Sequence, residues 1–482
     1  MPELIIHSTT GSQALSFEGT PVLYDLIKHL PDAPSRSCSG NGKCGACAVV
    51  ARGALGYKPD ESGRVLSCQT HLLGDAEVWL PTRKKMTQIE TGRWEKPYAF
   101  SPLSGTYGAA VDIGTTTIVL ELIRLADGLT LSVVSCENPQ RIIAADVIGR
   151  IESAMHGNLS VLQSLVNSCI DELERTAFAQ AGIMNGETAW RVIAGNTTML
   201  YLYTGRDPRS LSAAPFEADC LFGYQSEKNI LPACAGAFVG ADITCALLAS
   251  QITNTTETAL LIDIGTNGEI ALWHKGKLTC CATAAGPAFE GCGISCGTGS
   301  IPGAIDSARV SDGRLVYTTI CNAPVSGVCG SGLIDLVAAL LETEELDESG
   351  YLEDDIELAE GIVLTQQDIR QVQLAKAAIA AGIQTLLKRE GLDNKSVSKL
   401  YIAGGFGSHL NLTSAAKIGL IPEEFIDKCV VLGNASLTGA RQILLSKDRL
   451  PEAQRIASEA HCINLAEEKG FTDCFVENML FE

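Results

Sequence analysis

The sequence is poor in aromatic residues, which make up 5% of the chain, while small residues are abundant. A core with few large rings suits layered α/β packing better than an all-β sandwich. Positive charge is scarce too: 36 Lys and Arg stand against 56 Asp and Glu, a net charge of −20. Nucleic-acid binding rests on Lys and Arg neutralising phosphates, so nucleic acid is excluded as an expected partner. The acidic balance reads as solubility, or as an acidic face for a basic protein partner. Long apolar runs are absent. The longest uncharged stretch, 315–334, contains three glycines, Pro324 and Asn322, and is no spanning helix. The opening MPELIIHSTTG has neither the basic segment nor the apolar core of an export signal. A cytoplasmic protein without a membrane partner is expected. Two phosphate-binding signatures are missing as well, GxxxxGKS/T and a strand–helix GxGxxG, which disfavours P-loop and Rossmann folds.

Cysteine, by contrast, is plentiful at 18. In a reducing cytosol this is not a disulfide framework. Most of these residues are scattered among apolar neighbours, as Cys169, Cys245 and Cys429 are, and are expected to be small buried hydrophobes. Four differ. Cys38, Cys44, Cys47 and Cys68 have the spacing C-x5-C-x2-C-x20-C, the first three within SCSGNGKCGAC. Plant-type ferredoxins hold a [2Fe–2S] cluster with C-x4-C-x2-C and a distant fourth cysteine. The first gap here is one residue longer. Two irons need four thiolates, three of them from one tight loop, and Gly40, Gly42 and Gly45 allow close backbone approach to the sulfurs. The alternatives are a redox thiol pair or zinc, although zinc favours paired knuckles that the isolated Cys68 does not supply. The cluster is the expected cofactor, with Cys38, Cys44, Cys47 and Cys68 as its ligands.

Around that loop, strands are expected at 4–7, 14–18, 48–51, 64–70 and 76–81. A helix is expected over 20–30, where Val22, Leu23, Leu26, Ile27 and Leu30 share a face. This order predicts a β-grasp ferredoxin domain over 1–82. Residues 83–107, charged and then rich in Pro, Gly and Ser, read as a linker. From 108 to 482 strands alternate with helices. Within that region VDIGTTT at 111–117 and LIDIGTNG at 261–268 repeat a strand–turn–strand layout, with Asp112 and Asp263 151 positions apart. The repeated layout signals a duplication into two lobes.

In each repeat a strand ends in a carboxylate and enters a turn of small residues. Gly114, Thr115, Thr116 and Thr117 in the first, and Gly265, Thr266, Asn267 and Gly268 in the second, present N–H and side-chain donors to phosphate. Asp112 and Asp263 suit Mg²⁺, directly or through water. Two such motifs in matching halves imply a nucleotide clamped between lobes. Asp242 in VGADIT is a third catalytic candidate, as base for the attacking water or, alternatively, as a helix N-cap. YIAGGFG suits an adenosine-binding turn through Gly404, Gly405 and Gly407, and VCGSGLIDL is a Gly-rich turn that enters a helix at Gly330. Ser295 and Cys296 lie on a Gly-rich loop that either faces the cleft or a partner, or makes no contact. Cys292, Cys296 and Cys329 are too poorly spaced for a second cluster, and His409 is expected to cap or pack.

The order of phosphate turn, helices, second phosphate turn, Gly-rich connector and Gly-Gly turn resembles the superfamily of acetate and sugar kinases, heat-shock ATPases and actin. Within it, AGNTTM at 194–199, AGPAFEGCGISCG at 285–297, VCGSGLIDL and YIAGGFGSHL resemble the reductive activators of corrinoid proteins. Those activators also begin with a [2Fe–2S] domain, so the resemblance spans almost the whole chain. It implies an α/β fold: an N-terminal β-grasp ferredoxin domain followed by a duplicated actin-like, ribonuclease H-like ATPase. It implies ATP as the nucleotide and an enzyme that uses ATP to drive an electron from its cluster onto a Co(II) corrinoid, regenerating Co(I). The implied partners are the corrinoid protein of a methyltransferase system and a low-potential electron donor, namely a ferredoxin, flavodoxin or reductase. A homodimer is left open. Family members often carry a small extra domain where this chain has only the linker. Two other functions remain alternatives: activation of a different low-potential enzyme, and a redox sensor whose cluster gates nucleotide binding.

Overall fold

The computed structural model describes residues 1–8, 11–30, 34, 47–59, 63–80, 96–214, 216–405 and 409–481. Cys38, Cys44, Gly407 and most of the expected linker lie outside the described residues. The chain forms two compact units. One gathers Met1–Lys85, Glu137–Cys169 and Leu202–Arg209, and the other gathers Met86–Cys136, Ile170–Tyr201 and Ser210–Glu482.

The first unit holds a five-stranded mixed sheet of β1 (Glu3–Ser8), β2 (Gly11–Ser16), β3 (Ala48–Leu55), β4 (Arg64–Leu66) and β5 (Leu72–Trp79), in the order β2-β1-β5-β3-β4. β1 is parallel to β5, and the other pairings are antiparallel. Alternation sends Leu4, Ile6, Val49, Ala51 and Val78 to one face, where Leu23 and Ile27 cover them. The helix that carries this pair spans only Leu23–Ile27, shorter than the 20–30 expected. Val22 is drawn into a β-bridge with His71. The first helical N–H groups, which have no intrahelical partner, then donate outward: Leu23 to Thr70 O at 2.7 Å and Tyr24 to Ser67 O at 3.0 Å. The turn that carries Cys68 is thereby fixed to the helix start.

The second unit is built on two six-stranded sheets. The first contains β6 (Tyr107–Ile113), β7 (Thr117–Arg124), β8 (Leu129–Glu137), β9 (Trp190–Gly195), β10 (Phe222–Ser226) and β11 (Asn229–Ala233), in the order β10-β11-β9-β6-β7-β8. Next come β12 (Ala259–Ile264), β13 (Gly268–His274) and β14 (Lys277–Thr283). A small sheet follows of β15 (Ala304–Ser311), β16 (Arg314–Thr319) and β17 (Gly327–Val328), then a hairpin of β18 (Ile356–Ala359) and β19 (Ile362–Leu364). β20 (Lys399–Ala403), β21 (Cys429–Gly433) and β22 (Ala460–Cys462) complete the second large sheet, ordered β21-β20-β12-β13-β14-β22. With β10 set aside in one and β22 in the other, both sheets run third, second, first, fourth, fifth. Each first strand pairs antiparallel with the second and parallel with the fourth.

The central strands β6 and β12 are buried along nearly their whole length, and access opens at Asp112 and Asp263 near their C-terminal ends. Continuous apolar runs are what sheets covered on both faces require. Helices Ala241–Ser250 and Ala435–Leu445 pack unusually close: a Cβ on Gly439 would stand 2.1 Å from the Cys245 carbonyl oxygen. Only glycine fits there. Cys245 and Gly439 each lie roughly one turn into their helix, so the contact brings both N-termini to the end of β6. No helix among the described residues is long and apolar enough to cross a membrane.

Candidate functional site

Each carboxylate-tipped turn closes on its glycine, the first on the carbonyl three residues on and the second on the carbonyl two residues on. The Gly114 N–H donates to Thr117 O at 2.9 Å, and the Gly265 N–H donates to Asn267 O at 3.1 Å. Thr117 and Gly268 open the strands that follow. Asp112 accepts from Asn434 Nδ2 at 2.9 Å and from Ser436 Oγ at 2.8 Å. Asn434 also caps helix Ala435–Leu445, its Oδ1 accepting from the Leu437 N–H at 2.8 Å. Its carbonyl serves the helix, so its amide group is aimed at Asp112. Neither Asn434 nor Ser436 was singled out from sequence; the only signal is Asn-x-Ser at the strand–helix turn after β21.

Asp263 lies against the turn that leaves β20. Gly404 there has φ +94°, and a Cβ on it would stand 2.7 Å from Asp263 Oδ1. Gly405 faces open space. Asp242 sits in the first turn of helix Ala241–Ser250 but does not cap it: Gly240 holds the cap position, and Asp242 Oδ1 accepts from the Ile243 N–H at 2.8 Å. Gly330 is buried at the start of helix Gly330–Glu342, behind Cys329.

The carboxyl groups act on one another. Burial raises Asp112, opposed by the hydrogen bonds from Ser436 and Asn434. Burial, then the charge of Asp112, pushes Asp242 up to about 7. Burial, then Asp242, Asp112 and Glu290, pushes Asp263 up to about 8. Glu269 is raised well above its ordinary value by burial and by Asp242 and Asp263. Mutually repelling carboxylates in a recess take up protons or a cation. Among the described residues no three His, Cys, Asp or Glu side chains form a ready metal cage.

A stability profile follows. The folded Asp263 keeps its proton up to about pH 8, whereas the unfolded carboxyl, at 3.8, has lost it. Stability from this group is therefore present below the unfolded value and is lost as pH rises towards the folded one, by at most about 1.4 kcal/mol per pH unit. In nucleotide-free protein, the melting temperature of Asp263→Asn relative to wild type should climb from about pH 5 to about pH 8 and then level off. Parallel curves over that range would contradict the assignment.

The threonines show a connection that the sequence did not suggest. Thr116 Oγ1 donates to Glu290 Oε2, and Thr266 Oγ1 donates to Glu290 Oε1 at 2.9 Å. One carboxylate thus bridges both turns. Thr115 Oγ1 accepts from Asn196 Nδ2 at 3.3 Å. Further along the same loop, Ser295 is tied to Asp368, its N–H donating at 2.7 Å and its hydroxyl to the other oxygen. Asp368 belongs to the capping box of helix Gln366–Arg389. Cys296 is buried and its thiol is pushed up to about 12, mainly by burial, which makes it a poor nucleophile. Cys329 Sγ donates to Ile305 O at 3.3 Å. His409 is exposed.

In the first unit Cys47 and Cys68 converge, with their sulfurs 3.1 Å apart in a buried group with Tyr24. Ser67 holds the pair together, its hydroxyl donating to Cys47 O at 2.7 Å. Gln69 Nε2 reaches Cys68 Sγ at 3.9 Å. The Tyr24 hydroxyl donates to Ile142 O at 3.1 Å, joining the helix beside the cysteines to 137–169 of the same unit.

Residues 107–255 match the family profile described as the RACo middle region, and 257–482 match the one described as the C-terminal domain of RACo, the ASKHA domain. The corrinoid activation enzyme RamQ of Eubacterium limosum is 32% identical over 418 residues, covering 78% of this chain and 70% of that protein. The chain belongs to the reductive activators of corrinoid proteins. A second member, the Co(II) methylated amine-specific corrinoid protein reductase of Methanosarcina barkeri, is 26% identical over 399 residues, covering 73% of this chain and 72% of the relative. A solved structure of a reductive activator for a corrinoid, iron–sulfur protein superposes with a TM-score of 0.74 at 27% identity, over 99% of this chain and 98% of the other. The ASKHA profile and this superposition show the actin-like ATPase fold, with the two mixed sheets as its scaffold. The middle-region profile covers the first of those sheets and helix Ala241–Ser250.

Proposed function

We propose that this chain is an ATP-hydrolysing activator that delivers one electron to the Co(II) corrinoid of a partner protein, regenerating Co(I) for methyl transfer. The observation that carries this reading is the pairing of Asp112 and Asp263. Each tips the first strand of its sheet, and the charge of one raises the proton affinity of the other. Two strand-end turns facing one recess suit a triphosphate. Their N–H groups and Thr115, Thr116, Thr266 and Asn267 would bind phosphate oxygens. Mg²⁺ would arrive with the nucleotide and keep several waters, held by Asp112 and Asp263. Asn434 and Ser436 orient Asp112 for this. Asp242, poised near neutral pH, suits the base for the attacking water. Gly404 and Gly405, with Gly407, would lie along the adenosine.

The thiols fit a cluster. Cys47 and Cys68 are soft donors, buried and adjacent, and Cys38 and Cys44 complete the set outside the described residues. Bound there, a [2Fe–2S] centre would supply one electron at a potential near about −400 mV. Each ~59 mV of shortfall towards Co(II) costs about a factor of ten in equilibrium, which gives ATP its role. Residues 1–82 form the ferredoxin domain in this reading, 83–107 the linker and 108–482 the two ATPase lobes. A low-potential ferredoxin, flavodoxin or reductase would reload the chain in the cytoplasm.

Steady-state ATP hydrolysis tests the reading. A Co(II) corrinoid protein should stimulate it severalfold, and the same protein in its methylated state should not. ATPase activity that ignores the corrinoid redox state would contradict it.

A further inference from the structure

Glu290 occupies a place that no role so far accounts for. It ends the single turn Ala288–Glu290, whose Phe289 is buried, and the Glu290 and Cys292 N–H groups both donate to Pro287 O, at 3.0 and 3.1 Å. Its backbone is thus held firmly, while its carboxylate reaches both phosphate-type turns. The two oxygens are divided between them, Oε2 for Thr116 and Oε1 for Thr266. A threonine hydroxyl has one proton to donate. A phosphate oxygen that accepts from Thr116 or Thr266 must therefore take that proton from Glu290. Both are oxyanions, so the charge of one also repels the other.

We infer that Glu290 is a resident anion of the nucleotide site, which competes with phosphate for Thr116 and Thr266 and, when displaced, signals nucleotide occupancy to the loop 285–298. This rests on the nucleotide-site reading above. The loop is suited to relay the release. Past Glu290 it runs to Ser295, which is anchored on Asp368 at the head of helix Gln366–Arg389, and then to Thr298, whose N–H donates to Val328 O at 2.9 Å. Freeing its upstream end leaves those anchors in place, so the change is confined to a short segment beside helix Gln366–Arg389. Glu290 is a positioning residue here. Its removal should strengthen binding, which a purely structural residue would not do.

The test uses the full chain, ADP or a non-hydrolysable ATP analogue with Mg²⁺, calorimetric affinities and hydrogen exchange. Glu290→Gln keeps the shape, removes the charge and leaves one acceptor. It should bind either nucleotide about tenfold tighter than wild type, within the usual range of such couplings. In wild type, nucleotide should raise exchange within 285–298, over the part that precedes the Ser295 anchor. In Glu290→Ala, exchange there should already be high and should not rise further. Equal or weaker binding by Glu290→Gln, in a wild type that binds nucleotide, overturns the competition and makes Glu290 a direct ligand or a bystander. A wild type that binds neither nucleotide overturns the nucleotide site itself, and the competition with it. Should the variants fail to fold, the wild-type exchange decides alone: no rise at 285–298 on nucleotide binding contradicts the relay.

Discussion

Asp263→Asn should lower ATP-driven Co(I) formation by about 10²- to 10³-fold, the range found when one group that stabilises charge in a transition state is removed. The loss should fall on hydrolysis first. Asn keeps the shape that packs against Gly404, so the turn after β20 stays in place. It cannot give up a proton to Mg²⁺ and so supplies no carboxylate to hold the metal against the triphosphate. Relieving the repulsion with Asp242 and Asp112 should leave the variant at least as stable as wild type at neutral pH. The separation is what makes the result informative. Steady-state hydrolysis should collapse while melting temperature and visible spectrum hold. Wild-type hydrolysis in this variant would make Asp263 structural and would remove the second phosphate turn from the site.

Cys47→Ala should have an effect as large, in the other compact unit. Cys47 Sγ lies 3.1 Å from Cys68 Sγ in a buried position, and the Ser67 hydroxyl donates to Cys47 O beside the pair. If the four cysteines hold the proposed cluster, losing one thiolate should cost it most of its iron, since Ala supplies no donor. Co(I) formation should collapse with the iron, because the proposed electron carrier is lost. Basal ATP hydrolysis should persist, because the thiols and the site carboxylates belong to different compact units. Iron analysis, the reduced EPR signal and a Co(I) absorbance assay on one preparation would measure all three. Full Co(I) yield from an iron-free Cys47→Ala protein would remove the N-terminal sheet from the electron path.

Much of the scaffold can be read directly from the chain. The apolar runs of β6 and β12, each ended by Asp-Ile-Gly-Thr, announce strands that are buried until a carboxylate breaks the run. Helix Leu159–Gln180 buries Leu162, Val166, Ile170, Leu173 and Ala177, an apolar period that the sequence displays. What was not legible depends on distant pairings. The two groups that hold Asp112 are more than 300 positions away, on a helix whose Asn-Ala-Ser start looks like an ordinary cap. Glu290 lies in AGPAFEG, and nothing in that stretch says that its carboxylate spans two turns. The helix expected over 20–30 lost its first residues to the bridge between Val22 and His71, a long-range pairing that local periodicity does not register. The uncharged stretch 315–334 spans most of β16, all of β17 and the head of a helix, three short elements with no shared period. The grouping of Glu137–Cys169 with the N-terminal sheet is equally silent in the sequence, and Tyr24 on Ile142 is its visible sign.

The most direct measurement is an anaerobic absorbance experiment. The protein is reduced, freed of excess reductant and mixed with a Co(II) corrinoid protein, and the Co(I) band is followed before and after Mg-ATP. Electron delivery coupled to hydrolysis predicts little Co(I) before ATP and a rise after it, to no more than one Co(I) per electron stored on the chain. It also predicts no rise with the non-hydrolysable analogue. Equal Co(I) with and without ATP, or none with ATP present, would contradict an ATP-driven reductive activator.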